Sequence, residues 1–148
     1  MEILTRDFGK VNIEEDKIIN FPNGIPGFKD EKDFVLLPLE EDSLFVIMQS
    51  VNTPELAFIT IEPRNIIKDY EFVISEKTEE LLKIEGIEDI ILLNIVNIKD
   101  KLKDMTINLA APLVININEN LGKQIILDDS KYPVKYQLEF DDTKEMMS

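Results

Sequence analysis

The chain has 148 residues, 44% of them hydrophobic and 31% charged, a size and composition typical of one globular domain. Cysteine and histidine are both absent, which excludes disulfides, thiolate zinc sites, the usual serine-hydrolase triad and histidine-based metal centres. With 30 acidic and 16 basic residues the net charge is −14, which disfavours direct binding to nucleic acid or an anionic membrane and favours a basic protein partner.

The N-terminal segment 1–7, MEILTRD, places charged residues where a secretory signal peptide requires an apolar stretch. The longest apolar runs, 44–48 and 90–93, are far shorter than the roughly 18 residues that a membrane-spanning helix needs. These features predict a soluble, cytoplasmic protein without membrane association.

The dominant hydrophobic period along the chain is two, which is the period of a half-buried strand. Alternation is clearest around Val11 and Ile13, then around Ile19 and Phe21. Other segments are short, apolar at their centres and bounded by Pro, Gly, Asn or Asp: 34–37, 44–48, 56–61, 90–98, 113–117 and 124–127. About ten short strands at this spacing predict an antiparallel barrel or sandwich, and a closed barrel would leave no exposed edge.

Helix is scarce in the pattern. One helix is predicted over 76–84, with Ser75 or Thr78 as its N-cap and Gly86 just beyond its last turn. Short helical turns are expected after Asp30 and after Pro63.

No linker, repeat or low-complexity tract interrupts the sequence. We therefore expect one domain over residues 1–140, followed by a polar and flexible tail over 141–148. The fold class predicted is mostly β: a small, antiparallel, β-barrel-like single domain with one or two short helices.

The densest local motif is the segment 21–28, FPNGIPGF. Pro26-Gly27 suits a type II turn, because proline presets φ and glycine supplies a positive φ. Either Phe21 or Phe28 could be displayed to a partner from this rigid loop. The alternative is a structural corner with both rings in the core, since phenylalanine is usually buried.

Several acidic clusters raise the possibility of paired carboxylates for glycoside hydrolysis. Each is also explained as a solvated turn between strands, and nothing in the sequence brings two of them together. The clusters are Glu14-Glu15-Asp16, Glu40-Glu41-Asp42, Asp128-Asp129 and Asp141-Asp142.

Tyr70-Glu71 precedes the predicted helix. If exposed, a tyrosine flanked by acids is a good hot spot for a basic partner. In the alternative, Tyr70 caps the barrel with its hydroxyl pointing outward.

The order of these motifs resembles the FliW family of bacterial flagellar assembly factors along nearly the whole chain. Met48 stands where leucine is expected in the family, which is a change that conserves volume. The matching segments are 21–28, Met48-Gln49-Ser50 with Pro54 and Phe58, Asp69-Tyr70-Glu71, 108–116 (NLAAPLVIN) and 124–127 (QIIL).

The resemblance implies a non-enzymatic β-barrel protein without metal or cofactor. It implies binding to the translational repressor CsrA, which relieves repression of flagellin messenger RNA, and binding to flagellin itself as a chaperone-like partner. Free flagellin would sequester the protein, and flagellin export would release it. Antagonism of CsrA in the family is described as allosteric, without direct contact to nucleic acid.

The resemblance also carries over candidate partner-binding positions. Gln49 and Asn108 could equally satisfy backbone groups within the barrel, as buried amides usually do. The candidate residues are Phe28, Gln49, Tyr70, Glu71 and Asn108.

Two rival functions are open from the sequence. One is a carboxylate-based hydrolase, which a deep pocket holding two close acids of raised pKa would favour. The other is an acidic nucleic-acid mimic that blocks the RNA site of a basic protein directly.

Overall fold

The computed structural model describes residues 1–40, 43–98, 104–127 and 132–138, within which the chain forms eleven strands, one α-helix and three 3₁₀ turns. The strands are β1 (Glu2–Thr5), β2 (Gly9–Asn12), β3 (Ile19–Asn20), β4 (Asp33–Pro38), β5 (Phe45–Ser50), β6 (Ala57–Ile61), β7 (Ile90–Asn97), β8 (Thr106–Ile107), β9 (Leu113–Asn116), β10 (Leu121–Gln124) and β11 (Tyr136–Gln137). The helix α1 is Glu76–Leu81, and the 3₁₀ turns are Glu15–Lys17, Pro63–Asn65 and Ile87–Asp89.

Seven strands close into a barrel, which confirms the predicted fold class. The sheet runs in the order β11-β8-β7-β6-β5-β4-β3-β10-β9, and β9 returns to pair with β7. The pairs within the ring are antiparallel except β3 with β10, which are parallel and meet at Asn20 and Leu121. Strands β8 and β11 extend the sheet beyond β7.

The barrel interior collects side chains from around the ring. Ile19 of β3, Phe34 of β4, Met48 of β5, Leu93 of β7 and Leu113 of β9 form one buried cluster. Strand side chains alternate between faces, so the neighbours of these residues point outward.

The outward face of β7 and β9 is also buried. Leu92 and Val114 belong to a second cluster, which Tyr70, Leu82 and Tyr132 cover from outside the barrel. A strand buried on both faces needs apolar residues at consecutive positions, which accounts for the apolar run at 90–93.

The N-terminal hairpin covers the outward face of β4. Strands β1 and β2 pair only with each other in a separate two-stranded sheet, with Ile3 opposite Val11. Ile3 and Ile13 bury against Val35, whose neighbour Phe34 points into the barrel. The hairpin thus shields the outward face of β4 from solvent.

The closure between β3 and β10 depends on a glycine. Phe21 follows β3 and is fully buried. A Cβ atom on Gly122 of β10 would lie 2.6 Å from Cε2 of the Phe21 ring. The absence of a side chain at Gly122 therefore leaves the space that the ring occupies.

The helix is shorter than the predicted 76–84. Of the two predicted N-caps, Ser75 is the one observed: its side chain accepts a hydrogen bond from Thr78 N–H at 3.1 Å. The helix ends before Lys83, whose φ of 55° lies in the left-handed region. A 3₁₀ turn begins at Pro63 as predicted, whereas the segment after Asp30 leads into β4 without a helical turn.

No helix in the described ranges is long and apolar enough to cross a membrane. The predicted tail 141–148 lies outside the described residues, so the boundary at residue 140 stays a prediction.

Candidate functional site

The 21–28 loop buries one phenylalanine and displays the other. Gly27 has a φ of 89°, as the predicted turn requires, and Phe28 N–H donates to the Ile25 carbonyl at 2.6 Å. Phe21 lies in the core, whereas Phe28 is 43% exposed and contacts Phe58 edge-to-face at 5.7 Å. The alternative that places both rings in the core is therefore wrong for Phe28, and contact of Phe28 with a partner stays a prediction.

Gln49 is fully buried, and its amide organises the turn after β5. Oε1 accepts from Arg6 N–H at 3.0 Å, and Nε2 lies within hydrogen-bonding distance of carbonyls in the turn, including Ser50 at 3.0 Å and Pro54 at 3.1 Å. Gln49 therefore satisfies backbone groups within the protein, which is one of the two roles that the sequence analysis allowed. In this conformation the side chain presents no surface to a partner.

A carboxylate joins this turn to the Phe28 loop. Glu31 N–H donates to the Phe28 carbonyl at 3.0 Å. The Glu31 carboxylate accepts from Ser50 Oγ at 2.9 Å and from Thr53 Oγ1. The fold therefore brings the Phe28 and Gln49 segments together at one end of the barrel.

Tyr70 is 5% exposed, so the expectation of an exposed ring is wrong. Its hydroxyl points inward and donates to the Leu109 carbonyl at 2.6 Å, which also corrects the alternative of an outward hydroxyl. The ring lies 4.5 Å from that of Tyr132. Burial raises the pKa of Tyr70, the amide of Asn94 opposes the shift, and Tyr132 adds to it.

Asn108 is half-buried beside the Tyr70 contact and has a structural role. Its Oδ1 accepts from Ala110 N–H at 3.1 Å, and its carbonyl accepts from Asn94 Nδ2 at 2.7 Å. The first bond is the local turn that asparagine side chains favour. Tyr70 and Asn108 thus lie close together in the outer layer of the barrel. Both are distant in sequence from the Phe28 loop.

Glu71 differs from these residues because it lies at the surface. Its N–H donates to Tyr132 Oη at 2.7 Å, which fixes the backbone just after Tyr70. From there the chain runs through residues 71–75 without regular secondary structure until α1 begins. Phe72 and Ile74 of this segment pack on the outer core cluster.

Segment 71–75 separates two surface grooves. The first, of about 700 Å³, lies between this segment and the end of β10, and its lining is Glu71, Phe72, Val73, Ser75, Thr78, residues 123–127 and Tyr132. The second, of about 500 Å³, lies between this segment, α1 and the start of β7. Its lining is Tyr70, Glu71, Phe72, Ile74, Glu79, residues 84–87 and Ile90.

Large aliphatic side chains stand exposed at both grooves. Val73 is 84% exposed, Ile126 is 76% exposed and Ile87 is 68% exposed. Sequence reasoning missed Ile126 because apolar residues of a strand-like segment such as 124–127 are normally assigned to the core. Val73 and Ile87 lie outside every predicted element, and the sequence gives no signal for them. Singly exposed apolar residues are ordinary, but apolar residues at the rim of a groove are typical of a contact surface.

The carboxylate groups do not form a metal cage in the described part of the chain, where no cluster of three or more ligand-type acids occurs. Burial raises the pKa of Glu62, opposed by Arg64, whose charge and backbone N–H both favour the ionised carboxylate. Glu62 thus caps the turn at Pro63–Asn65. Of the acidic clusters, 41–42, 128–129 and 141–142 lie outside the described residues.

The chain is thus a small acidic protein built on a closed β-barrel, which a hairpin and an outer layer cover and which carries two surface grooves. The family model described as FliW protein matches residues 2–138. The chain belongs to the FliW family.

Individual relatives agree with this assignment. The flagellar assembly factor FliW of Geobacillus sp. (strain WCH70) is 47% identical over 138 residues, covering 93% of this chain and 95% of the relative. That of Bacillus subtilis (strain 168) is 44% identical, covering 93% and 96%. A crystal structure of the flagellar assembly factor FliW superposes with a TM-score of 0.88 at 45% identity, covering 94% of this chain and 97% of the other.

Proposed function

We propose that this protein is a flagellar assembly factor that binds the translational repressor CsrA, relieves its repression of flagellin messenger RNA, and also binds flagellin. The observation that carries the proposal is the family match over residues 2–138. The protein acts as a cytoplasmic switch between two partners, without catalysis or a cofactor.

The charge of the chain supports the CsrA half of the proposal. A protein that binds RNA carries basic surface, and a net charge of −14 attracts and steers such a partner. Within the described ranges the one ion pair between side chains joins Arg6 and Asp7. Among the described side chains, the acidic groups are thus not matched by a comparable set of internal ion pairs.

The candidate residues divide into two roles under this proposal. Phe28 and Glu71 are at the surface and contact partners directly. Gln49, Tyr70 and Asn108 hold the adjacent backbone through their internal hydrogen bonds. Substitution of the second group therefore lowers stability together with binding.

Titration calorimetry with purified CsrA tests the proposal. We expect binding at low salt that weakens as salt rises, because exposed charges are screened over about 10 Å at 0.1 M ionic strength. Absence of binding at every salt concentration contradicts the CsrA half. Binding that is unaffected by salt contradicts its electrostatic part.

Charge reversal at Glu71 locates the contact. We expect Glu71→Lys to weaken CsrA binding about tenfold or more without lowering the melting temperature. Glu14→Lys is the matched control, because Glu14 is an exposed glutamate next to a different element, the 3₁₀ turn Glu15–Lys17. Equal effects of the two substitutions would show that only total charge matters.

The same charge favours a second candidate, a nucleic-acid mimic that occupies the RNA site of CsrA. Competition separates the two mechanisms. Excess RNA fully overcomes a mimic, whereas an antagonist acting at a distinct site leaves a residual block, because the two ligands are then coupled rather than mutually exclusive.

A further inference from the structure

The groove between segment 71–75, α1 and the start of β7 combines an apolar floor with an acidic rim. Phe72, Ile74, Ile84 and Ile90 form the floor and pack on the outer core cluster. Ile87 stands at the edge with most of its side chain in solvent. This groove is called the α1 groove below.

The rim is acidic, and the acidity continues past α1. A second depression of about 510 Å³ shares Glu79, Ile84 and Glu85 with the α1 groove. Together the two are lined by six glutamates and one lysine: Glu71, Glu76, Glu79, Glu80, Glu85, Glu119 and Lys83.

Five of these glutamates, on α1 and beside it, form no ion pair with a described side chain. In the part of the chain that the structure describes, Glu76, Glu79, Glu80, Glu85 and Glu119 have no Lys or Arg nitrogen within 4.0 Å. The nearby Arg64 lies over the ring of Phe72, 5.5 Å from its centroid. The Phe72 ring at the floor of the groove thus binds the guanidinium of Arg64 through a cation–π contact.

We propose that the α1 groove docks a cationic amphipathic segment of a protein partner. Apolar side chains of that segment fill the floor beside Ile87, and its lysines and arginines face Glu79 and Glu85. The charge of the rim selects this occupant, because an acidic segment is repelled and a purely polar basic one leaves the apolar floor uncovered. The inference rests on the proposed function only for the identity of the partner as CsrA.

The first experiment uses the full chain and a labelled model peptide of leucine and lysine with helical amphipathic spacing. A scrambled peptide of the same composition, without an apolar face, is its control. We expect the amphipathic peptide to bind at least about tenfold more tightly than the scrambled one. In ¹⁵N spectra the shifts are expected to concentrate at Phe72, Glu79 and Ile87.

Two variants test the two halves of the groove. Ile87→Asp removes the exposed apolar contact, and Glu79→Lys with Glu85→Lys reverses the rim. Each is expected to weaken the amphipathic peptide at least about tenfold. The matched controls are Ile126→Asp at the other groove and Glu2→Lys with Glu14→Lys, all exposed positions, and these are expected to change affinity about twofold or less.

Several outcomes overturn the inference. They are equal binding of the two peptides, loss of binding in Ile126→Asp rather than in Ile87→Asp, or groove variants that bind as the wild type does. Unchanged melting temperatures in all variants keep these results separate from unfolding.

The same variants are then titrated with CsrA. Wild-type binding with a loss of at least about tenfold in the groove variants supports both claims. CsrA binding that the groove variants leave intact overturns the α1 groove but not the proposed function. Peptide binding at the groove without any CsrA binding contradicts the proposed function and leaves the groove inference standing.

Discussion

At the scale of single residues, Gln49 holds two parts of the chain that are distant in sequence. Its buried amide bonds Arg6 N–H in the first hairpin and carbonyls of the turn after β5. Replacing one partner of a buried hydrogen bond leaves the other unsatisfied, which costs about 1–3 kcal/mol per group.

We expect Gln49→Leu, which nearly conserves volume, to lower the free energy of unfolding by about 2–4 kcal/mol in urea denaturation. Gln49→Glu retains the Oε1 acceptor for Arg6 N–H but loses the Nε2 donor. The part of the stability loss that comes from the bond to Arg6 N–H is therefore expected to be smaller in Gln49→Glu than in Gln49→Leu. Asn52→Ala, at an exposed position of the same turn, is the control. A loss of less than about 0.5 kcal/mol for Gln49→Leu contradicts the internal role.

Glu62 gives the stability a specific pH dependence. Burial raises its pKa above the ordinary value of 4.5, so the folded state holds the proton more tightly than the unfolded state does. Its contribution is therefore fully present below pH 4.5 and is lost as pH rises through the raised pKa. Glutamine imitates the protonated form and keeps an acceptor for Arg64 N–H.

We expect the stability of Glu62→Gln relative to wild type to increase between about pH 4 and about pH 7 in urea denaturation series. Glu14→Gln controls for the loss of one negative charge from an acidic chain. A difference between Glu62→Gln and wild type that stays constant or falls with rising pH contradicts the assignment.

Predictions for single residues failed where a distant part of the chain covers a side chain that the local sequence leaves exposed. The 21–28 motif predicts the turn correctly, but its chemistry cannot say which phenylalanine points inward. Tyr70 follows two charged residues and looks exposed, yet its ring is buried because Tyr132 folds back over it from far along the chain. Such coverage is a long-range property that local pattern does not contain.

At the scale of elements, the parallel contact of β3 with β10 closes the barrel, and Gly122 makes room for Phe21 there. The Phe21 ring also packs edge-to-face on Phe34 at a centroid distance of 5.6 Å. A methyl group at position 122 would force the ring or the strand to shift, and overpacking of this kind costs about 1–3 kcal/mol.

We therefore expect Gly122→Ala to lower the free energy of unfolding by about 1–3 kcal/mol. Phe21→Leu is smaller and, in the Gly122→Ala background, is expected to cost less than it does alone. A double-mutant cycle by chemical denaturation measures this coupling. Additive effects of the two substitutions would show that Phe21 and Gly122 do not pack against each other as described.

The strands were the most predictable elements, because short segments rich in Ile, Val, Leu and Phe and bounded by turn residues mark where they lie. The predicted segment 124–127 is wrong, since β10 is Leu121–Gln124 and shares only Gln124 with it. Strand β1 was not predicted, since its four residues are largely exposed. The closing order of the ring depends on pairings between segments about 100 residues apart, such as Asn20 with Leu121, which no local signal specifies. Helix α1 ends early because Lys83 adopts a left-handed conformation.

At the scale of the whole molecule, charge and family membership point in the same direction. A chain with a net charge of −14 is repelled by RNA, and under the proposed function it regulates RNA through a basic protein that RNA also attracts. The grooves on either side of segment 71–75 were not predictable, because they form where the outer layer and the ends of β7 and β10 meet in space.

The most direct test measures how much CsrA stays bound to a flagellin messenger RNA fragment as this protein is added, at two RNA concentrations. We expect the protein to release the RNA, the release to persist in part at the higher RNA concentration, and free flagellin to reverse it. CsrA that stays fully bound to RNA at every concentration of the protein would contradict the proposed function.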